Sequence, residues 1–335
     1  MLTRSFPLFS IFGFRISIDL SWFVLAALIV WTLATDLFPE SVPELSTQTY
    51  YVMGTVAALG MFASIIFHEL AHSLVARAYG IKIAGITLFI FGGVAELEDE
   101  PPTPKSEFLV AIAGPISSLI LGGAFYLIAS LVETTSLPQV LAVLTYLTVI
   151  NIVLAVFNLI PAFPLDGGRM LRAALWWRQG DLRKATRLAS LLGAALGIAL
   201  MVYGAYNAYQ GFTIGGMWQI LIGYFVFNAA GSARRQTEIA ERLKGVSVRQ
   251  LMRTPPPPSV PAGIAVEPLD RGTLTVEQSA IAALRQLLRG PRAEALVLAD
   301  GKAVGVISTR DIFAFLNRQG ASRSAADERP GPGRA

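Results

Sequence analysis

The sequence predicts a mainly α-helical fold: a polytopic membrane bundle of about six transmembrane helices, a small β-hairpin or sheet at the membrane surface, and a small α/β cytosolic module. Composition is the first observation behind this prediction, because mean hydropathy is +0.55 and 53% of the 335 residues are apolar. Only 15% are charged, against about 25% in ordinary soluble domains. Second, the apolar residues are gathered into segments that can cross about 30 Å of hydrocarbon. Third, the composition changes to that of a soluble domain after Val246.

About six apolar segments are long enough to span a membrane. Lys and Arg are concentrated before the first segment and after the second, fourth and sixth, whereas the opposite connections, 35–49, 133–139 and 209–216, contain neither residue. By the positive-inside rule, both termini are expected in the cytoplasm. We expect an integral, multi-pass protein of a bacterial plasma membrane. The predicted spans are Leu20–Leu37, Tyr51–Val75, Phe108–Val132, Val140–Leu159, Ala189–Ala208 and Met217–Ala230.

The charge balance and the cysteine content restrict the kinds of partner and site. The formal net charge is +4, and anionic lipid headgroups of the bilayer account for this mild excess without a nucleic acid partner. The chain has no cysteine, which excludes disulfides and thiolate metal ligands. Any metal must therefore be held by nitrogen and oxygen donors, which suits a catalytic zinc site.

The segments between the spans carry local signals of their own. Residues 1–19 alternate apolar and polar side chains near their end, which favours a strand at the membrane surface. The glycine-punctuated, β-branched run Ile81–Val94 predicts a hairpin at the membrane face. The small residues of Ala113-Gly114-Pro115 in the third span are explained by close helix packing, and we assign them no chemistry.

The chain divides into four predicted parts. Residues 1–231 form the transmembrane domain, and residues 232–246 form a charged helical linker. Residues 247–318 form the small α/β module, in which Ala280–Leu288 predicts an amphipathic helix. Residues 319–335 are rich in Ser, Ala, Arg, Pro and Gly and are predicted to be a disordered tail.

The only two histidines, His68 and His72, lie four residues apart in the apolar second span, and Glu69 stands between them. Positions i and i+4 share one face of a helix, so both imidazoles can bind one cation while Glu69 projects beside them. The alternative is a pair of satisfied polar residues on a packed helix. Ionisable groups are costly inside a membrane and usually functional there, which favours the metal site.

Two histidines do not complete a catalytic zinc site, which usually has three protein ligands and a water. Because the chain has no cysteine and no third histidine, the third ligand must be an acid, and the acids near predicted spans are Asp19, Asp36, Glu96 and Asp166. Asp166 is the strongest candidate, because prolines and glycines around it break the helix and let the backbone turn a side chain inward. The alternative is a turn or capping aspartate.

Asn158 lies inside the apolar run that precedes Asp166. An amide in this position needs a hydrogen-bond partner. The structural interpretation is a helix–helix hydrogen bond, and the functional one is a donor that holds a substrate carbonyl or its developing oxyanion. Asn151, on the same predicted helix, is interpreted as structural.

These residues together resemble the signature of a known family. The run Phe67–His72, followed far downstream by Asn158, Pro161 and the run Pro164–Gly168, looks like the site-2 proteases, which are intramembrane zinc metalloproteases. The Gly92-Gly93 hairpin and the run at 113–115 are similar to secondary motifs of the family. The resemblance covers residues 1–231 and rests on two specific motifs in the expected order.

The resemblance implies an enzyme that hydrolyses peptide bonds in or near transmembrane segments of membrane proteins, as in regulated intramembrane proteolysis. It implies that Glu69 is the catalytic acid and base and that Asn158 contacts the substrate. We further expect an edge of the Ile86–Val94 hairpin, which contains Gly92 and Gly93, to pair with the unwound substrate as an added strand. The implied ligands of one Zn²⁺ per chain are His68, His72 and Asp166.

The C-terminal part resembles one CBS module, in Val248–Met252, Leu274–Val276 and Gly305–Ile312. Paired modules of that family bind adenine nucleotides. Because this chain has one module with an insertion around residues 255–271, an adenine nucleotide site would require a homodimer through the module. The alternative is a purely structural or dimerising module. The positions that match the nucleotide contacts of the family are Ser308, Thr309 and Asp311.

Two functions from other classes compete with proteolysis. One is a divalent-metal transporter that uses the same ligands as a transit site, but a transporter does not need Glu69 and usually shows internal repeats. We find no such repeat in the sequence. The other is an inactive, nucleotide-sensing membrane scaffold, against which the intact Glu69 argues.

Overall fold

The computed structural model describes residues 5–90, 92–97, 101–133, 137–254, 273–289 and 293–327. The chain forms two compact units that divide between Arg234 and Arg235. The division of function that we assigned to residues 1–231, 232–246 and 247–318 stays a prediction.

Helices dominate the first unit. Helix α1 (Leu20–Thr32) continues through a π-helical segment (Leu33–Leu37) into the short α2 (Phe38–Ser41). Side-chain hydrogen bonds cap the N-termini of several later helices. Ser46 accepts from the Thr49 N–H at the start of α3, and Asp181 accepts from the Lys184 N–H at the start of α7. The later helices are α3 (Thr47–Ala78), α4 (Pro104–Val132), α5 (Pro138–Asn158), α6 (Asp166–Gln179), α7 (Leu182–Tyr209) and α8 (Thr213–Arg242).

Within the described residues, five helical segments are long and apolar enough to cross a membrane: α1 together with α2, then α3, α4, α5 and α7. The predicted sixth span, Met217–Ala230, lies within α8, which is not among these five. Helix α8 has 30 residues, but its apolar run is interrupted by the polar residues Gln219 and Asn228. The helix then continues into the charged stretch that contains Arg234 and Arg235.

A four-stranded sheet lies beside the helices, with strand order β1-β2-β3-β4. Strands β2 and β3 pair in parallel and the other neighbours pair antiparallel, so the predicted hairpin is the β3–β4 half of a larger sheet. In this sheet β1 and β4 are the edge strands. The strands are β1 (Ser5–Ile11), β2 (Phe14–Asp19), β3 (Ile83–Phe89) and β4 (Gly92–Leu97).

The second unit packs two helices and a three-stranded sheet around its own core, which includes Leu284, Val297 and Ile312. Helix α10 continues to Asp327, past the predicted start of disorder at residue 319. Residues 328–335 of the predicted tail lie outside the described residues. The elements are β5 (Thr273–Thr275), α9 (Ala280–Arg289), β6 (Glu294–Ala299), β7 (Lys302–Ser308) and α10 (Thr309–Asp327), with sheet order β5-β6-β7.

Candidate metal centre

The two histidines of α3 point the same way and are buried, with 3% and 5% of their surface exposed. Their ring centroids lie 4.8 Å apart, and the Nε2 atoms of His68 and His72 are 3.1 Å from each other. Two imidazole nitrogens at this separation can bind one ion. The predicted i, i+4 geometry is thus present in a helix that can cross a membrane.

Residues of helix α4 contact the Nδ1 atom of each imidazole ring. The Nδ1 of His72 donates to the carbonyl oxygen of Val110 at 2.6 Å, and the Nδ1 of His68 lies 2.9 Å from the hydroxyl of Ser118. A carbonyl accepts only, so the proton of neutral His72 is on Nδ1 and its Nε2 lone pair is free for a metal. Such second contacts fix the tautomer and the orientation of metal-binding imidazoles.

Asp166 begins α6 and completes the group. Its Oδ2 lies 3.1 Å from the Nε2 of His68 and 3.1 Å from the Nε2 of His72. The following glycines make this turn possible: a Cβ on Gly167 would overlap the Leu159 carbonyl, and one on Gly168 would overlap backbone of the preceding loop. His68, His72 and Asp166 therefore form a buried group that can hold a metal ion.

The donor set fits zinc. Ligands about 2.0–2.1 Å from a tetrahedral zinc ion lie about 3.3 Å from one another, and the three donor atoms here lie 3.1 Å apart. Two imidazoles and one carboxylate leave a fourth position, as catalytic zinc sites require. The three donor atoms are close enough together to bind a single ion.

The charges around Asp166 favour its ionised form. Burial acts to raise the pKa of the carboxyl group, but the neighbouring imidazoles of His72 and His68 and the charge on Arg169 outweigh it. The pKa of Asp166 therefore lies well below its usual range, and the side chain is a carboxylate ready to bind a cation.

A cavity of about 480 Å³ opens beside the three ligands. It brings together every residue of the transmembrane domain to which we assigned a functional role from sequence. Asn158 lines it, although one N–H of its amide already donates to the Leu154 carbonyl at 2.9 Å. The predicted functional residues along the cavity are His68, Glu69, His72, Gly92, Gly93, Asn158 and Asp166.

Gly93 is in close contact with Glu69. A Cβ on Gly93 would lie 2.7 Å from the Cγ of Glu69. The strand β4 therefore approaches the cavity directly beside the predicted acid and base, and only glycine allows this approach.

The predicted nucleotide residues lie in the second unit and serve a structural purpose there. Ser308 and Asp311 cap α10 reciprocally: the Asp311 carboxylate accepts from the Ser308 N–H at 2.9 Å, and the Ser308 hydroxyl accepts from the Asp311 N–H at 3.3 Å. Asp311 also accepts from Arg253 at 3.1 Å. The Thr309 N–H donates to the Ala293 carbonyl. Nucleotide binding and the CBS-like identity stay predictions.

Sequence reasoning missed the part that α4 plays in the centre. A Cβ on Gly114 would overlap the Nε2 atoms of both histidines, so this glycine makes room for the imidazoles. Ser118 and Val110 provide the second contacts. The signal was the small-residue run at 113–115, which we attributed to helix packing alone.

A buried ion pair anchors α6 to α4. The guanidinium of Arg172 donates from Nε to Glu107 at 2.5 Å and lies 5.1 Å from the Phe163 ring centre. Breaking such a buried pair typically costs about 3–5 kcal/mol. The pair holds the start of α6, and hence Asp166, against the helix that orients the histidines.

Gly114→Ala is expected to weaken zinc binding at least tenfold, because the added methyl displaces both imidazoles and loss of ligand orientation typically costs 10–100-fold. Zinc retained against a competing chelator measures the effect. Gly123→Ala on the same helix is the matched control, since a Cβ there meets nothing within 4 Å. Equal zinc affinity in the two variants would contradict this assignment.

Comparison with known proteins places these residues in context. The model of peptidase family M50 matches residues 56–142 and 130–201, which include all three candidate ligands. A protein of Synechocystis sp. named as a zinc metalloprotease is 35% identical over 304 residues, covering 90% of this chain and 76% of that protein. A Mycobacterium tuberculosis protein named as zinc metalloprotease Rip3 is 34% identical over 324 residues, covering 96% and 78%. A solved structure, the site-2 protease from Methanocaldococcus jannaschii, matches at 29% identity with a TM-score of 0.48, covering 69% of this chain and 96% of that chain.

Proposed function

Because the chain belongs to peptidase family M50, the site-2 protease family of zinc metalloproteases, we propose that it hydrolyses peptide bonds in or near transmembrane segments of membrane proteins. The observation that carries the proposal is the buried triangle of two imidazoles and one carboxylate beside a cavity, with both imidazoles on a helix long enough to cross a membrane. A metalloprotease centre at this place acts on substrates that are themselves in the bilayer.

The geometry of the site supports the following roles. His68, His72 and Asp166 hold the zinc ion, and Glu69 moves the proton. Zinc in such a site supplies a Lewis acid that lowers the pKa of water and polarises a carbonyl. Glu69 takes a proton as the oxygen of the attacking water bonds to the carbonyl carbon, and returns it to the amine nitrogen as the C–N bond breaks.

The walls of the cavity suit an apolar substrate. Away from the ligands they are formed largely by aliphatic and aromatic side chains, which can receive the side chains of an unwound transmembrane segment. Asn158 is the polar group on this wall that we propose to contact the substrate backbone. The apolar lining residues include Leu25, Ile29, Met61, Ile65, Leu154 and Phe157.

Strand β4 provides a place for the unwound substrate. In the described part of the first unit, β4 is paired on one side with β3 and is an edge of the sheet on the other. A substrate strand added to this edge would pass Gly92 and Gly93, which line the cavity. Strand addition also replaces the backbone hydrogen bonds that a helical substrate loses on unwinding.

Proline at Val94 and at Ala95, introduced one at a time, tests strand addition. Successive N–H groups of a strand point to opposite edges, so one of the two variants removes an edge N–H without breaking a bond to β3. We expect that variant to cleave a transmembrane peptide about tenfold more slowly, because the substrate loses one backbone hydrogen bond and the proline ring blocks the strand edge. Leu8→Pro, at the register shift of β1 on the opposite edge, is the control. Unchanged rates in both β4 variants would exclude pairing at this edge.

The orientation and the regulation are part of the proposal. We propose that both termini lie in the cytoplasm, that cleavage occurs near the cytoplasmic face, and that it releases a cytosolic fragment, as in regulated intramembrane proteolysis. We also propose that the C-terminal unit modulates access to the cavity or pairs with a second copy.

Purified protein in liposomes with a transmembrane peptide tests the proposed function. We expect cleavage within or beside the apolar segment, identified by mass spectrometry, that stops when zinc is removed and resumes when zinc returns. Uptake of divalent metal into the liposomes without cleavage would favour a transporter instead. Neither cleavage nor uptake across several peptides would favour an inactive scaffold.

A further inference from the structure

Arg169 presents a positive charge to the same cavity. It lies three residues after Asp166 in α6, and helical positions i and i+3 share a face. Both residues line the cavity. The Nη2 atom of Arg169 is buried and makes no hydrogen bond within the part of the chain that the structure describes.

A second arginine on α6 has the partners that a buried guanidinium group normally needs. Arg172, one turn further along, is paired with Glu107 and stacked on Phe163. In the described residues Arg169 forms no such ion pair, although its charge acts on the Asp166 carboxyl group, whose Oδ2 contacts the two imidazoles. A buried N–H group without a hydrogen-bond partner is costly, and the Nη2 of Arg169 therefore calls for an explanation.

Because Arg169 lines the cavity, an oxygen that enters the cavity can supply the missing partner. Zinc and Arg169 together bring more positive charge than Glu69 and Asp166 neutralise, so the cavity favours a ligand that carries or develops negative charge. In peptide hydrolysis that atom is the oxygen of the scissile carbonyl.

Asn158 alone does not provide the hydrogen bonds that the oxygen of the scissile carbonyl needs. One of its two amide N–H groups is used by the Leu154 carbonyl. The Nη2 of Arg169 keeps both of its N–H groups free of hydrogen bonds in the described structure, and it carries a charge. Charge-assisted hydrogen bonds to an anion are roughly twice as strong as neutral ones.

We propose that Arg169 is a catalytic residue whose Nη2 donates to the oxygen of the scissile carbonyl as that oxygen gains negative charge, an inference that rests on the proposed proteolytic function. When the water oxygen bonds to the carbonyl carbon, the π electron pair moves onto this oxygen and Glu69 receives the proton of the water. When the pair returns, the C–N bond breaks and the amine nitrogen takes the proton from Glu69. Arg169 keeps its own protons throughout.

Arg169→Gln tests the inference in the zinc-loaded, full-length protein. Loss of an oxyanion donor typically lowers kcat by about 10²–10³-fold, and we expect that loss with KM little changed. Zinc content is expected to equal that of the wild type. Arg169→Lys, which keeps the charge and loses the planar fork, is expected to recover part of kcat. Arg178→Gln, on the exposed end of the same helix, is the matched control.

Binding of a phosphinic peptide, a tetrahedral anionic analogue of the reacting peptide, gives a second readout that needs no cleavage. We expect Arg169→Gln to weaken its binding by the same factor as kcat, since analogues report transition-state contacts. Unchanged kcat and unchanged phosphinate affinity would overturn the inference. Loss of zinc from both Arg169 variants would also overturn it, because Arg169 would then support Asp166. Absence of cleavage by the wild type, with phosphinate binding still dependent on Arg169, would refute only the proposed function.

Discussion

Glu69→Gln is expected to lower cleavage of a transmembrane peptide by about 10³–10⁴-fold, while the protein keeps its zinc. Glutamine has the same shape as glutamate and preserves the packing of this side chain against Gly93. It cannot accept the proton of the attacking water or return it to the leaving amine, so both halves of the reaction slow. Since Glu69 is not one of the three ligands, the metal-binding group is untouched.

Single-turnover cleavage in detergent or liposomes and metal analysis of the same preparation measure the two parts of this prediction. Glu40→Gln removes an exposed carboxylate from the short helix α2 and is the control for the amide substitution itself. Cleavage by Glu69→Gln at the rate of the wild type would refute the assignment of the proton carrier. Metal transport that survived the change, together with absent cleavage by the wild type, would favour the transporter.

Asp166→Ala is expected to lower zinc affinity by more than about 100-fold and to abolish cleavage with it. The carboxylate is the one ligand from outside α3, and it contacts both imidazoles at 3.1 Å. Without it, two neutral imidazoles remain to hold a divalent cation. The start of α6 is expected to stay in place, because the Arg172–Glu107 pair anchors it independently of the metal.

Zinc content after dialysis, with thermal unfolding of the apo form, separates loss of the metal from loss of the fold. Asp36→Ala removes an exposed carboxylate from the π-helical segment and is the matched control. An Asp166→Ala protein that retained zinc and cleaved peptides would show that the third ligand lies elsewhere.

Much of the metal centre could be predicted from sequence because the chain offers so few donors. Two histidines at helical spacing define one face of α3, and the absence of cysteine leaves only an acid as the third ligand. The helix break around Asp166 then indicated which acid. The contribution of α4 could not be predicted in the same way, because Gly114 acts by having no side chain. A small residue in a membrane helix has the same local pattern whether it faces another helix or an imidazole.

The pairing of strands that lie far apart in the sequence also could not be predicted. The hairpin of β3 and β4 follows from local pattern, but its parallel pairing with β2 joins residues 16–18 to residues 86–88. No local periodicity specifies such a register. The predicted sixth span shows a different limit: hydropathy located the apolar run of α8, but this helix also contains Gln219 and Asn228 and is not among the five spans.

X-ray absorption at the zinc edge, measured on the purified wild type with its metal content known, tests the central claim most directly. We expect one zinc ion per chain, with a first shell of nitrogen and oxygen atoms at about 2.0 Å that contains two imidazoles. The imidazole scattering and the metal content should both fall in Asp166→Ala. A first shell with fewer than two imidazoles, or a full metal content in Asp166→Ala, would contradict a centre built from His68, His72 and Asp166.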